Sequence, residues 1–233
     1  MNRQESGKLA KLEGHIFEYT IASYMSLLLS DTFIVHGGSR TKIDIQNEDE
    51  SIRISIKNPK NKHTQVCLIT QKNFISSLNI LDESIQEFIS KFFGGIQYES
   101  YERHRMTTET IDNELNIKFL DFLNNSLEML FKTLFTHGYN QQGNVNYLIW
   151  ANKKNSTEDI TCLNLDKFKQ EFMKGKWIQN ETTFHFKIGN NKILHLQMFG
   201  SGPKYKSGYH SLQFQLHNNF DTKYVEEIKT IGL

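Results

Sequence analysis

The sequence predicts an α/β fold, a β-sheet flanked by helices with an additional β-hairpin region near the C-terminus. Three observations carry that expectation. Two short runs, Thr41-Lys42-Ile43-Asp44-Ile45 and Arg53-Ile54-Ser55-Ile56-Lys57, alternate in character on either side of a polar turn. Two long stretches, roughly 5–29 and 109–135, carry apolar residues at helical spacing. A last group of alternating runs occupies roughly 183–217 and is interrupted by glycines.

Taken in order, residues 5–29 read as a helix with Leu9, Leu12, Ile16, Leu27 and Leu28 supplying much of its apolar stripe. Glu18 shares a line with Gly14, Ala22, Met25 and Leu29, so it is expected to face inward, where a carboxylate needs a partner. Glu13, on the line of Phe17, Ile21, Tyr24 and Leu28, is the alternative helix carboxylate. Strands are expected at about 32–36, 41–46 and 51–57, the last two antiparallel across Asn47-Glu48-Asp49-Glu50-Ser51. That hairpin brings Asp44 and Lys57 side by side at one end of a sheet. Ser55 and Lys57 share one strand face, and Ile54 and Ile56 the other.

Asn58-Pro59-Lys60 breaks the third strand, and a further strand is expected at about 64–69, then helices at about 70–78 and 82–93. The pattern over 109–135, with Leu115, Phe119, Leu123, Leu130 and Phe131, predicts one long helix at the centre of the core. Val145 to Ala151 reads as a buried strand joining the sheet of Asp44 and Lys57. A helix at about 165–174, strands at 183–188, 192–199 and 209–217, and a terminal helix from Asp221 to Ile231 complete the series. No repeat or linker divides the chain, so 1–233 is expected to form one domain, with 1–160 as its core and 180–220 as the hairpin region.

Asp44, the strand carrying Ser55-Ile56-Lys57, and the preceding helix with Gly14-His15-Ile16-Phe17-Glu18 together resemble the PD-(D/E)XK nuclease core, especially that of type II restriction endonucleases. The resemblance covers roughly residues 5–75. It implies a central mixed sheet flanked by helices and a Mg²⁺-dependent cleavage of double-stranded DNA at a specific, palindromic site by a homodimer. The family's aspartate falls on Asp44, its lysine on Lys57 and its helix glutamate on Glu18. Asp44, the Ile56 carbonyl and Glu18 are then the implied metal ligands. Two positions depart from the pattern: Ile43 stands where proline is frequent, and Ser55 where Asp or Glu is usual. The second departure puts a second metal site in doubt and keeps two alternatives open: a nuclease fold that binds DNA without cutting it, and a repair or junction-resolving nuclease of the same core.

Composition agrees with a globular protein of this size. With 38% hydrophobic residues and no apolar run long enough to span a bilayer, no membrane partner is expected. Cys67 and Cys162 lack metal-ligand spacing and suit a reducing cytoplasm, and the excess of Lys (22) over Arg (5) points to an A·T-rich bacterial genome. A net charge of +1 argues against indiscriminate coating of nucleic acid. The charge is uneven, however. From Thr182 to Phe220 there is no acidic residue, while Lys187, Lys192, Lys204 and Lys206 fall there with His185, His195, His210 and His217.

DNA contacts are therefore expected from several places. Arg40 and Lys60 flank the catalytic strands, and Arg103-His104-Arg105 offers guanidinium groups for phosphate or guanine. The tip Ser201, Lys204, Tyr205 and Lys206 joins two strands whose faces carry Gln213 and Gln215, and glutamine can pair with adenine. The histidines show no close pair at ligand spacing, which speaks against a zinc centre, and no P-loop, dinucleotide fingerprint or nucleophile elbow is present.

Overall fold

The computed structural model describes residues 3–36, 42–57, 63–94, 113–138, 140, 143–151, 160–180, 183–199, 211–217 and 225–226. Two sheets organise it. The first is six-stranded and mixed, built from β1 (Phe33–Val35), β2 (Ile45–Asn47), β3 (Arg53–Lys57), β5 (Tyr147–Ala151), β6 (Ile160–Asn164) and β11 (Val225–Glu226), adjacent in that order. Its ladders are antiparallel except β3 with β5, where Ser55 pairs with Leu148 and Lys57 with Trp150. The second is five-stranded and wholly antiparallel, ordered β4 (His63–Thr70), β10 (Ser211–His217), β9 (Asn191–Phe199), β8 (Phe184–Ile188) and β7 (Lys176–Gln179).

The alternation of β3 explains how the sheets share the interior. Ile54 and Ile56 point to one face, where they pack with Ile45, Tyr147, Ile149 and Cys162 under Phe17, Ile21, Ala22 and Met25 of helix α1 (Arg3–Leu29). From the other face Leu148, Trp150 and Leu163 enter a larger core. That core is filled by the inner faces of β8, β9 and β10 and by α2 (Gln71–Ser77), α3 (Glu83–Gly94), α4 (Asn113–Asn125), α5 (Leu127–Phe131) and α6 (Leu165–Phe172). Phenylalanines dominate it, and Phe88 stacks on Phe119 at 4.2 Å and Phe172 on Phe186 at 4.1 Å between ring centroids. The expected α/β architecture, a mixed sheet with flanking helices and extra β structure near the C-terminus, is the observed one.

Several elements differ from expectation. Leu9, Leu12, Ile16, Leu27 and Leu28 are exposed, and the buried side of α1 is the row Phe17, Ile21, Ala22, Met25. The helix carries two apolar rows, and apolar content alone does not say which meets the core. The single helix expected over 109–135 is broken: α4 ends before Ser126, α5 follows, and a π-helical turn over Lys132–Thr136 closes the segment. Residues 109–112 of that expectation lie outside the described residues. Where a terminal helix was expected across 221–231, Val225–Glu226 instead pair with Leu163 and Cys162 as an edge strand. The strand expected at 64–69 exists as β4 but belongs to the second sheet, so the C-terminal hairpin is the middle of a larger layer. Strands β6 and β7 had no sequence-based counterpart.

Candidate active site on the edge of strand β3

The site arises because β2 is too short to cover β3. Their ladder pairs Ile45 with Ile54 and Gln46 with Arg53, and the last backbone bond runs from the Asp44 N–H to the Ile54 carbonyl, 2.9 Å. Beyond that point the edge groups of Ile56 have no strand partner on this side among the described residues. A buried amide must still be satisfied. The Asp44 carboxylate does so, its Oδ2 accepting from the Ile56 N–H at 2.5 Å and from the Ser55 hydroxyl at 3.1 Å. Lys57 curls back over the same edge, its Nζ donating to the Ile56 carbonyl and the Ser55 Oγ, each at 2.9 Å. The ammonium lies 3.5 Å from Asp44 Oδ2. Asp44 itself sits just before β2 rather than within it.

Glu18 on α1 is coupled to this cluster electrostatically. It lies on the inner side of the helix between buried Phe17 and Ile21, with His15 Nδ1 3.0 Å from its Oε2. Burial raises its carboxyl above the usual carboxylate range and the Asp44 charge raises it further. The His15 hydrogen bond and charge, and then Lys57, act in the opposite direction. The two carboxylates thus feel each other across a half-buried space with one ammonium beside them. Of the two helix carboxylates weighed from sequence, Glu18 has a titration tied to Asp44 and Lys57.

One contributor was not singled out from sequence. Lys42 donates from Nζ to the Val66 carbonyl on β4 at 2.7 Å, joining the loop before Asp44 to the second sheet. Burial first, then the Lys57 charge, lowers its ammonium to about 8, while Cys67 and Asp44 pull the other way. Its stem passes beside Gly138 and Gly143; a Cβ on Gly143 would lie 2.6 Å from Lys42 Cβ and 2.8 Å from the Thr136 carbonyl. The signal was available, since Lys42 stands two residues before Asp44 in an alternating run and so shares its side. His15 was likewise legible as the i−3 neighbour of Glu18.

Among the described residues, the groups on offer to a cation here include the Asp44 and Glu18 carboxylates, the Ile56 carbonyl and the Ser55 hydroxyl, all oxygens. That set suits a hard divalent ion that keeps several waters, such as Mg²⁺, and the mutual repulsion of Glu18 and Asp44 is what such an ion would relieve. No cluster of three or more His, Cys, Asp or Glu with metal-holding geometry occurs among the described residues. A separate cavity of about 360 Å³ lies at the opposite end of β3, beside Arg53, Lys132, His137, Asp166 and Lys169. Its cations are already paired, Arg53 with Glu50 and both lysines with Glu128, so it offers no comparable chemistry.

The expected DNA contacts divide by location. Arg40, Lys60, Arg103, His104, Arg105, Ser201, Lys204, Tyr205 and Lys206 lie outside the described residues. Gln213 and Gln215 sit on β10 opposite Gln197 and His195 of β9. Gln213 is buried and donates to Gln65 Oε1 at 2.5 Å, whereas Gln215 is half-exposed. The same layer gathers three imidazoles from adjacent strands, with His195 Nδ1 3.2 Å from His217 Nε2 and the His185 ring 6.1 Å from that of His195.

No protein-family model matches the chain, and no curated protein matches it. Among solved structures it is similar to restriction endonuclease MspI in complex with its cognate DNA, with a TM-score of 0.48, 14% identity, and coverage of 84% of this chain and 77% of that one. A likeness at this level carries no argument about chemistry, which resides in the groups gathered around β3. No helix among the described residues is long and apolar enough to cross a membrane.

Proposed function

We infer that the chain is a Mg²⁺-dependent endonuclease that hydrolyses phosphodiester bonds of double-stranded DNA, of the type II restriction class. The observation that carries this reading is the meeting of Asp44, Lys57 and Ser55 on the open edge of β3, and the electrostatic coupling of Glu18 on α1 to Asp44 and Lys57 supports it. Asp44, the Ile56 carbonyl and Glu18 would hold Mg²⁺, which when bound supplies Lewis acidity toward the phosphate and a more acidic water. Lys57, held by Ser55 and the Ile56 carbonyl, would turn the donor it now shares with Asp44 at 3.5 Å toward the attacking water and toward charge growing on the phosphate oxygens. Asp44 fixes that geometry through the Ile56 amide, so metal holding and lysine placement are coupled through one strand edge. Cutting both strands at a palindromic site needs two such edges, hence a homodimer, with DNA held by the basic segments and the Gln215 face of β10.

One observation favours a second reading, a DNA-binding protein that does not cut. Ser55 occupies the position where a carboxylate is usual, and its hydroxyl is engaged by both Asp44 and Lys57. Incubation with plasmid and phage DNA with and without Mg²⁺ separates the two. Discrete fragments that appear only with the metal are expected for the nuclease; a retarded but uncut band identifies the binder, and structure-selective nicking a repair or junction enzyme.

A further inference from the structure

Val66 interrupts the pairing of β4 with β10. Phe214 stands opposite Cys67 and Gln215 opposite Gln65, so the ladder passes over Val66, the extra residue of a β-bulge. β4 is also the edge strand of its sheet, and Val66 is buried there. A buried carbonyl at such a place still needs a donor. The Lys42 ammonium supplies one at 2.7 Å, reaching over from the segment that enters β2 of the first sheet. A third piece of chain closes on the lysine stem, since a Cβ on Gly143 would lie 2.6 Å from Lys42 Cβ and one on Gly138 3.6 Å from it. Three segments distant in sequence thus converge on one side chain, two residues before Asp44. Pinning a lysine costs side-chain entropy, and bulges recur beside active sites, where they aim a group.

We propose that Lys42 is a positioning residue for the reaction at the β3 edge: pinned to the β4 bulge, it holds the segment entering β2 so that the Asp44 carboxylate stays on the Ile56 amide. The Asp44 backbone is already tied within the first sheet, its carbonyl accepting from the His36 N–H and its N–H donating to the Ile54 carbonyl, each at 2.9 Å. Those two bonds resist sliding along the sheet. The tie to Val66 leads out of that sheet and resists a pivot, which would carry the carboxylate off the Ile56 N–H and the Ser55 hydroxyl. A reacting constellation tolerates only about 0.5 Å of such drift. The layer assigned to DNA and the segment carrying Asp44 therefore share one fixed point. The consequence for cleavage rests on the nuclease reading, whereas the placement of Asp44 is measurable without it.

Amide exchange followed by NMR in the metal-free full chain reads that placement, because Asp44 protects the Ile56 N–H. Lys42→Met should lower Ile56 protection about tenfold beyond any change at the Leu196 amide, which lies mid-sheet between β8 and β10 and reports general stability. Single-turnover cleavage of plasmid DNA by Lys42→Met should fall about a hundredfold with DNA affinity kept within about threefold. Lys42→Arg, which still offers a cationic donor to the Val66 carbonyl, should regain most of the protection and a rate within about tenfold of the unaltered chain. Ile56 protection that changes no more than that of Leu196 overturns the proposal. So does a DNA affinity that falls as far as the rate, which would make Lys42 a DNA contact instead. Should Lys42→Met not fold, Gly143→Ala decides: crowding the Lys42 stem should lower Ile56 protection beyond that of Leu196, and an equal change at both overturns the proposal. An unaltered chain that does not cut refutes the nuclease reading and leaves the Ile56 measurement to decide the role of Lys42.

Discussion

Ser55 sits between the two charged groups of the site, donating to Asp44 Oδ2 and accepting from Lys57 Nζ while fully buried. Removing its hydroxyl leaves both partners in place with only their direct 3.5 Å contact between them. Ser55→Ala is therefore expected to lower the turnover rate about tenfold with little change in DNA affinity, the cost of one hydrogen bond made at the reacting centre. Steady-state kinetics and filter binding on the same variant check both halves. Gly143 tests the other side of the site. An added methyl would meet Lys42 Cβ and the Thr136 carbonyl well inside contact distance, and the carbonyl cannot turn away. Gly143→Ala should cost about 1–3 kcal/mol in chemical denaturation, against a gain of up to about 1 kcal/mol for alanine at Gly14, inside α1 with nothing within 4 Å. Asp44, Lys57 and the shared face of Ser55 were legible because a strand's period of two fixes which residues stand together. The reach of Lys42 to Val66 was not, because it depends on how β4 of the other sheet passes behind the loop.

At the scale of elements, period and length are more legible than environment. Helix α1 has nearly the length its pattern predicts, and Ala22 and Met25 of its expected inward line are buried, yet the stripe of Leu9, Leu12, Ile16, Leu27 and Leu28 is exposed, since two apolar rows compete and only tertiary packing decides between them. The break at Ser126 and the π-turn after Phe131 leave no mark in the pattern, because Leu127, Leu130, Phe131 and Leu134 keep an apolar rhythm through both. Val225–Glu226 pair as strand only because β6 offers an edge. The layer formed by β8, β9 and β10 yields a pH prediction. Burial holds the His185 imidazole down at about 4, with Lys192, His217 and Lys187 adding to the shift. The unfolded chain takes up this proton near pH 6.5 and the folded chain only near 4, so the His185 contribution is complete above about 6.5 and is lost as pH falls toward 4. Thermal melts at pH 7.5 and 5 should show a smaller acid-induced drop for His185→Asn than for the unaltered protein. Equal drops would mean that the imidazole is not held neutral by the fold.

Across the whole molecule, the division of labour follows composition. Every strand of the second sheet is free of Asp and Glu, while α1 and the segment entering β2 carry the carboxylates of the site. A chain of net charge +1 thus presents one layer with lysines and imidazoles and no opposing charge along its strands. If DNA lies along that layer, its affinity should fall at least tenfold between about 50 and 200 mM salt, measured by fluorescence anisotropy on a short duplex. A flat salt response would place the contacts elsewhere. The basic layer was visible in the sequence as an acid-free stretch, but its width was not, since β4 and β7 come from distant parts of the chain and join only through pairing.

The most direct test of the account is cleavage of supercoiled plasmid DNA with Mg²⁺ by the unaltered chain, Asp44→Ala and Lys57→Ala, each first shown to bind DNA. Metal-dependent cutting is predicted for the unaltered chain, and a loss of at least a thousandfold, about 4 kcal/mol, for each variant with binding retained. Turnover that survives in Asp44→Ala, or cutting that proceeds equally well in chelator, would contradict a reaction centred on the edge of β3.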